Sequence, residues 1–288
     1  MEDGFLLIDK DENWTSRDVC NKVGKILKVK KVGHIGTLDP FATGLLLVAI
    51  GKATKTLPFI SDNYKTYIAE LKLGSKTNTG DLTGQVVENK PIPVLNKQII
   101  EDAFSSFIGQ SYQIPPMTSA IHVNGVKLYE LAHMGQEIDR KSRPIEIKEL
   151  KLIDYFKDRI IFITTVSKGT YIRTLGEDIA EKLNTIGYLT ALRRTKIEDL
   201  NVNNAVKIEN INENNIIPIH QFLSHFITLK IIEDESVLKK IKNGGKLSKK
   251  IFDRNEQTIL LIDKNNIPLA VYSYNAAGYY SCMRGLWA

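Results

Sequence analysis

Residues 33–44, with the sequence GHIGTLDPFATG, place a single carboxylate, Asp39, among three glycines and a proline. Glycine permits backbone conformations that a Cβ atom would forbid, and Pro40 fixes the chain directly after the acid. Proline also biases the preceding residue towards extended geometry, so we expect Asp39 to lie outside a helix. Such a loop can present a carboxylate for nucleophilic or general-base chemistry. The alternative is an Asx-type turn, in which Asp39 only accepts hydrogen bonds from nearby backbone amides.

Two other side chains could assist an ionised carboxylate, which needs a fixed rotamer and a neighbouring cation. Arg173 could be that cation, because it follows SKGTY, where a glycine and the start of a helix offer N–H donors to an anion. Its alternative is the ordinary salt bridge of a surface arginine. Tyr67 presents an aromatic ring from a predicted strand, and Lys65 lies two residues earlier on the same face. The alternative for Tyr67 is a plain core residue.

The composition bounds the class of protein. The chain has 288 residues, of which 43% are hydrophobic, enough for a large core and about two domains. Its net charge of +6 is compatible with a polyanionic partner. The sequence has no run of eighteen apolar residues, and its first ten residues lack the order of a secretory signal. We therefore expect a cytoplasmic protein with no membrane partner.

The cysteines and histidines argue against a metal or a disulfide framework. Cys20 and Cys282 lie far apart, and the five histidines fall at no metal-ligand spacing. We expect no bound metal and two reduced thiols.

The order of the predicted elements indicates an α+β fold. Strands and helices neither alternate regularly nor repeat, which argues against a doubly wound parallel sheet. Thr15 or Ser16 can cap the first helix, and SKTNTGDLTG consists of turn-forming residues. Hydrophobic spacing predicts strands in GFLLID, GLLLVAIG, YKTYIAELKLG, RIIFITTVS and YLTALRRTKI, and helices after Thr15, over 95–108 and in KGTYIRTLGEDIAEKLN.

Two further segments depart from this pattern. Residues 111–143 are predicted to form a surface insertion, with a short helix KLYELAHMG that ends on Gly135. The asparagine-rich segment 199–218 marks a composition shift, with a linker-like boundary near residue 225. After it, short strands separated by turns predict a small β-barrel or meander over 226–288.

Six segments together resemble the TruB family of bacterial tRNA pseudouridine synthases. In order and spacing they are GFLLIDKDENWTSRDV, KVGHIGTLDPFATGLL, YKTYIAELKLGSKTNTGDLTG, IPPMTSAIHVNGVKLYELAHMG, SKGTYIRTLGEDI and TALRRTKI. The resemblance runs from about residue 4 to the carboxyl end. It implies a pseudouridine synthase fold with a mixed, largely antiparallel central sheet in residues 1–225. It also implies a small PUA-like, RNA-binding β-barrel in residues 226–288.

The resemblance also implies roles for individual residues. Asp39 matches the catalytic aspartate, Arg173 the arginine that pairs with it, and Tyr67 the tyrosine that stacks on the target uracil. His34 matches the histidine that helps to occupy the space vacated by the flipped base, Asp81 the loop aspartate of the active-site region, and Leu192 a residue that lines the base pocket. We expect these three residues to bind the substrate, together with Lys65, which lies beside Tyr67 on the same strand face. Lys10 matches a motif whose role we expect to be mainly structural.

The chain departs from the family pattern at four positions. Asp11 and Asn13 stand where the family commonly has a turn-forming proline and glycine, which affects the expected shape of that loop. Ile35 stands where threonine is usual, and Thr118 replaces a frequent tyrosine. These last two positions are expected to affect RNA or pocket contacts.

The implied activity is isomerisation of the T-loop uridine of tRNA, at position 55, to pseudouridine. The base leaves its ribose, rotates and rejoins through carbon without a redox change, so no cofactor is expected. The expected partner is the T-arm of tRNA and not DNA, and the expected state is a monomer. A non-catalytic RNA-binding or tRNA-folding protein is the alternative. A glycoside hydrolase would need two facing acids, and Asp39 has no obvious second acid.

Overall fold

The chain forms a large mixed sheet with helices on it, and a smaller sheet at its carboxyl end. The computed structural model describes residues 3–119, 122–123, 126–127, 136, 138–252 and 256–287. The helices are α1 (Ser16–Ile26), α2 (Lys97–Ser105), α3 (Ile172–Lys182), α4 (Ile219–Leu223) and α5 (Glu235–Lys242). The strands are β1 (Gly4–Lys10), β2 (Val32–Ile35), β3 (Thr43–Ile50), β4 (Tyr64–Leu73), β5 (Ser75–Thr77), β6 (Val86–Asn89), β7 (Gly109–Gln113), β8 (His122–Val123), β9 (Val126–Lys127), β10 (Arg143–Tyr155), β11 (Arg159–Ser167), β12 (Gly187–Ile197), β13 (Leu200–Asn201), β14 (Ile217–Pro218), β15 (Thr228–Ile232), β16 (Leu247–Ser248), β17 (Thr258–Asp263), β18 (Pro268–Tyr274) and β19 (Tyr279–Gly285).

The central sheet has the order β14-β1-β3-β12-β4-β11-β10-β7, with β2 paired to β3 and β13 paired to β12. All of these pairs are antiparallel except β3 with β12, which run parallel for a short stretch. A mixed, largely antiparallel sheet was the expectation from sequence. The two strands at the middle of the sheet, β12 and β4, carry residues of the candidate site.

The first helix begins where the sequence predicts. Thr15 is the N-cap: its side chain accepts a hydrogen bond from the Asp18 amide at 3.0 Å, and the Asp18 carboxylate accepts one from the Thr15 amide at 3.1 Å. This reciprocal pair is a capping box. It starts α1 next to the loop that carries Asp39.

One face of β4 is built as predicted. Tyr67, Ala69, Leu71 and Leu73 alternate along the strand, and all are at most 8% exposed. They belong to a core cluster that α2 and α3 cover. The alternation therefore determines which face of the middle strand packs under the helices.

Two local predictions were incomplete, and a third is not tested. SKTNTGDLTG is not all turn, because β5 pairs with β6. The predicted insertion over 111–143 is bounded by sheet residues, since β7 and β10 pair at both of its ends. The predicted helix KLYELAHMG lies outside the described residues, except for Lys127 in β9.

The smaller sheet has the order β15-β17-β18-β19-β16, with α5 packed on it. The sequence predicted four of these strands but neither α5 nor β16. The asparagine-rich segment belongs to the first sheet and its core, because its β14 pairs with β1 and its 3-10 turns pack on that sheet.

The two sheets share apolar packing. Leu260 and Val271 of the smaller sheet, and Leu286 directly after it, lie in one buried cluster with Phe5 of the larger sheet and Phe222 of α4. No helix of the described residues is long and apolar enough to cross a membrane.

Candidate active site

A cavity of about 400 Å³ opens where the Asp39 loop, β4, β12 and the connection from β11 to α3 meet. Its volume lies in the range usual for small-molecule sites. The predicted site residues that line it are His34, Asp39, Lys65, Tyr67, Arg173 and Leu192. Asp81, the remaining predicted residue, is not among the lining residues and lies behind Arg173.

Asp39 is paired with Arg173 at one side of this cavity. The Arg173 Nε lies 3.0 Å from Asp39 Oδ2, and Nη2 donates to Oδ1 at 3.4 Å. Within the described part of the chain, this is the hydrogen bond that the carboxylate accepts. The Asx-turn alternative is therefore wrong for Asp39. About a third of its side chain, 36%, remains exposed.

The surroundings shift the protonation of Asp39 in opposing directions. Desolvation raises the pKa of Asp39 above its ordinary value, and the Asp81 charge adds to this rise. The Arg173 charge opposes it. The net result is a raised pKa, and the Arg173 guanidinium limits that rise.

Arg173 is itself fixed from several directions and is only 3% exposed. Its Nη1 donates to the Thr79 carbonyl at 2.9 Å and to Thr118 Oγ1 at 2.5 Å. Its Nη2 donates to the Thr118 carbonyl at 3.0 Å, and Asp81 Oδ2 lies 3.4 Å from Nη1. The surface-arginine alternative is excluded by this burial, and Asp81 acts as a second, buried counter-ion.

Tyr67 and Leu192 form the apolar part of the cavity. They lie on the paired strands β4 and β12, and their exposures are 8% and 6%. Both also belong to the core cluster under α2 and α3. Tyr67 is therefore a core residue whose ring also lines the cavity, which combines the two interpretations of its sequence position.

His34 and Lys65 are polar residues that also line the cavity. His34 Nε2 lies 3.2 Å from Thr37 Oγ1, and burial lowers the pKa of His34, so the ring is neutral at neutral pH. Lys65 Nζ donates to the Asp62 carboxylate at 3.1 Å and to the Asp62 carbonyl at 2.6 Å. Burial lowers the pKa of Lys65, and Asp62 opposes the shift.

The loop that carries Asp39 is held by its backbone. Lys10, only 1% exposed, donates from Nζ to the carbonyls of Pro40, Trp14 and Asp11 at 3.1, 2.8 and 2.9 Å. Burial lowers the pKa of Lys10 to about 8. The structural role expected for Lys10 is thus a direct attachment of the residue after Asp39.

The unusual residues of the neighbouring turn fit this attachment. Asn13 has a φ of +62°, a left-handed conformation that asparagine tolerates better than most residues, and its amide donates to the Pro40 carbonyl at 2.9 Å. Asp11 accepts a hydrogen bond from Lys207. Ile35 lines the cavity. The turn therefore still contacts the Asp39 loop without the glycine that the family commonly has.

Sequence reasoning missed several residues of the site. Arg194, Asp62 and Lys168 line the cavity beside Lys65, and Tyr171 lines it at the start of α3. Gln113 of β7 exchanges two hydrogen bonds with the Tyr171 backbone, at 2.8 and 3.1 Å. The basic pair in TALRRTKI was a signal for Arg194, but its burial depends on tertiary contacts.

The comparisons with known proteins match this architecture. The model of the "TruB family pseudouridylate synthase (N terminal domain)" matches residues 24–172. The tRNA pseudouridine synthase B of Hydrogenovibrio crunogenus is 47% identical over 194 residues, which cover 67% of this chain and 64% of that protein. The same-named protein of Bacillus thuringiensis is 39% identical over 298 residues, covering 95% of this chain and 93% of that protein. For Hydrogenovibrio and Psychrobacter cryohalolentis relatives, the chain spans less than two thirds of their length.

Solved structures show the same fold. The crystal structure of a Cbf5–Nop10–Gar1 complex matches with a TM-score of 0.70 at 20% identity, over 99% of this chain and 85% of that chain. A structure of an H/ACA RNP bound to a substrate RNA containing 2′-deoxyuridine matches equally well at 18% identity. Both matches extend through the smaller sheet. The predicted α+β class, with a mixed central sheet and a PUA-like carboxyl-terminal sheet, is confirmed.

Proposed function

This chain belongs to the TruB family of pseudouridylate synthases, and from that premise we propose that it converts a uridine of tRNA to pseudouridine. The observation that carries the proposal is the Asp39–Arg173 ion pair beside a cavity of about 400 Å³ walled by Tyr67 and Leu192. The finer proposal is that the substrate is the T-loop uridine at position 55. We also propose that the protein acts in the cytoplasm as a monomer.

The reaction requires that the base leave the helix stack and enter this cavity. Extrusion costs a few kcal/mol, and stacking on an aromatic ring contributes roughly 1–3 kcal/mol in return. Tyr67 supplies that ring, and Leu192 packs against the same apolar wall. His34, neutral and beside the loop, takes part of the space that the base leaves.

The reaction replaces the N-glycosidic bond at C1′ of the ribose with a C-glycosidic bond. The C1′–N1 bond breaks, the uracil rotates, C1′ joins C5, the C5 proton is lost and N1 gains a proton. Asp39 is the nucleophile, attacking either the base or the sugar carbon, and both routes need its ionised form. Arg173 holds that form and the rotamer, while Asp81 fixes Arg173. We propose Tyr67 as the acceptor for the C5 proton, and Lys65 as a residue that contacts the substrate.

The geometry does not favour a glycosidase. Two facing carboxylates are needed there, with a separation that leaves room for the sugar. Asp81, the acid near Asp39, is 4% exposed and does not line the cavity. Asp62 does line it, but this residue is 4% exposed and its carboxylate is paired with both Lys65 and Lys168.

A non-catalytic role in RNA binding can coexist with the isomerase. The last turn of α5 carries Lys239, Lys240 and Lys242, and residues 226–288 are proposed to be the RNA-binding domain. Such a surface can hold the T-arm by its phosphates.

The substitution Asp39→Asn separates the two roles. It keeps the size of the side chain but removes the nucleophile, so tritium release from C5-labelled uridine in tRNA should stop. Affinity for tRNA should stay within a small factor. The matched control is Asp102→Asn, which changes an exposed carboxylate of α2. Turnover retained by Asp39→Asn would refute the assignment, and mapping of the product should place pseudouridine at position 55.

A further inference from the structure

The cavity has a second charged wall that the proposed chemistry does not use, and its central residue is Arg194. This side chain is completely buried. Its Nε donates to the Leu45 carbonyl at 2.7 Å and its Nη2 to the Gly36 carbonyl at 2.6 Å. Among the described residues, Nη1 has no hydrogen-bond partner and no carboxylate pairs with the guanidinium. An arginine cannot discharge by losing a proton, so this positive charge stays uncompensated.

Two lysines on the same wall share one carboxylate. Lys65 Nζ lies 3.1 Å from Asp62 Oδ2, and Lys168 Nζ lies 2.7 Å from Asp62 Oδ1. The cations Lys65, Lys168 and Arg194 therefore outnumber the single carboxylate by two. The Lys168 side chain is 64% exposed and lies at the mouth of the cavity, where a ligand can reach it.

The start of α3 closes this wall. Tyr171, its N-cap residue, makes no side-chain cap, so the first-turn amides of an eleven-residue helix receive no acceptor from it. Free amides and the helix dipole favour an anion at this end. Gly169 precedes the helix, and a Cβ there would meet nothing within 4 Å, so the approach is open. Gly169, Thr170 and Tyr171 line the same cavity as Arg194.

The carboxylates beside Arg173 have cations of their own. Asp39 and Asp81 both pair with Arg173, and the charge of the buried Lys10 also acts on Asp39. These two carboxylates and two cations balance, so this side of the cavity does not supply the missing negative charge. Uracil is uncharged, so a base in the cavity would not compensate the cations either. The unmatched positive charge and the uncapped amides together fit a tetrahedral oxyanion.

We propose that Lys65, Lys168, Arg194 and the start of α3 form a phosphate subsite, which holds an RNA backbone phosphodiester next to the extruded nucleotide. This rests on the proposed function, since RNA is the source of the phosphate. The subsite fixes the backbone at one side of the cavity while the base reaches Asp39 at the other. Lys168 is the residue that contacts the phosphate at the rim of the cavity. Arg194 contributes a positive electrostatic potential from its buried guanidinium.

A double-mutant cycle, in which one change is made in the protein and the other in the RNA, tests the subsite. T-arm stem–loop RNAs carry a neutral methylphosphonate at one of the two linkages that flank the target uridine, and affinity is measured by anisotropy with the full chain. With the wild type, one of the two RNAs should bind about fivefold more weakly. Lys168→Gln should weaken binding of the unmodified RNA by a similar factor and reduce its salt slope by about one. The two changes together should cost no more than either alone.

A control lysine and two contrary outcomes complete the test of the subsite. Lys97→Gln removes a lysine of similar exposure, 69%, which also has one carboxylate partner, and should stay additive with the methylphosphonate. Additive losses with Lys168→Gln would overturn the subsite. Inorganic phosphate that binds here while the cycle stays additive would show a free-anion site and would also overturn it. Pseudouridine formation is measured separately, so absence of turnover with a coupled cycle would reject the proposed function and keep the subsite.

Discussion

Arg173 is bound by residues from three separate parts of the chain, and Thr118 supplies two of its contacts. The Thr118 hydroxyl accepts from Nη1 at 2.5 Å and its carbonyl accepts from Nη2 at 3.0 Å. Thr118 also lines the cavity, from the segment that follows β7. The residue that departs from the family pattern is therefore part of the attachment of Arg173, and through it of the Asp39 rotamer.

Thr118→Val should weaken this attachment without changing the shape of the side chain. A hydrogen bond to a charged group contributes about 1.5–3 kcal/mol, so we expect kcat to fall about tenfold or more. A less firmly held Arg173 lowers the pKa of Asp39 less, so that pKa rises further. The reaction needs the ionised form of Asp39. The acid limb of the pH–rate profile should therefore move to higher pH. Thr118→Ser, which keeps the hydroxyl, should restore both values; an unchanged profile in Thr118→Val would contradict this role.

At the scale of elements, the Asp39 loop depends on the parallel contact between β3 and β12. Gly44 pairs with Arg194 in this register and has a φ of +100°. A Cβ at Gly44 would lie 2.2 Å from the Arg194 carbonyl oxygen. The β3–β12 contact therefore leaves no room for a side chain at residue 44, and glycine is the residue that fits there.

Gly44→Ala should therefore destabilise the protein more than backbone strain alone explains. Gly109 is a matched control, because its φ is +108° and a Cβ there would meet nothing within 4 Å. Strain alone predicts a loss of about 1 kcal/mol in the free energy of unfolding for Gly109→Ala. The clash at Gly44 should add about 1–3 kcal/mol, measured by denaturant unfolding. Equal losses at both positions would show that the β3–β12 contact yields easily.

For the whole molecule, the shared core makes the two proposed domains interdependent. The rings of Phe5 and Phe222 stack at 4.2 Å, and Leu260 and Val271 of the smaller sheet lie in the same cluster. Deleting residues 226–288 would expose this apolar surface. Substitution of the α5 lysines in the full chain is thus a better test of RNA binding than truncation.

The interdependence predicts a single unfolding transition. The chain has two tryptophans, Trp14 packed against the core near α1 and Trp287 packed in the smaller sheet. Trp14→Phe and Trp287→Phe each leave one reporter, and both variants should show the same denaturant midpoint by fluorescence and circular dichroism. A separate, earlier transition of Trp287 would show that residues 226–288 unfold on their own.

The sequence by itself determined the elements whose signals are local. Alternation in β4, helical spacing in α3 and a helix cap at Thr15 or Ser16 depend on neighbouring residues only. The structure confirms them, with Thr15 as the cap. The motif residues also identified Asp39 and Arg173 as partners, because their types and order match the family. The sequence did not predict strand β5, because SKTNTGDLTG consists of turn-forming residues. Its strand conformation depends on pairing with β6, which residues within the segment do not indicate.

Only the tertiary structure decided which charges are matched and which are not. Arg194 and Lys168 are separated by 26 positions of chain, and no local pattern indicates that they lie together, yet β12 and the turn before α3 bring them to one cavity wall. The same holds for Thr118 on Arg173 and for Lys10 on Pro40. Desolvation and charge pairing depend on distances across the fold, and no pattern along the chain reports them.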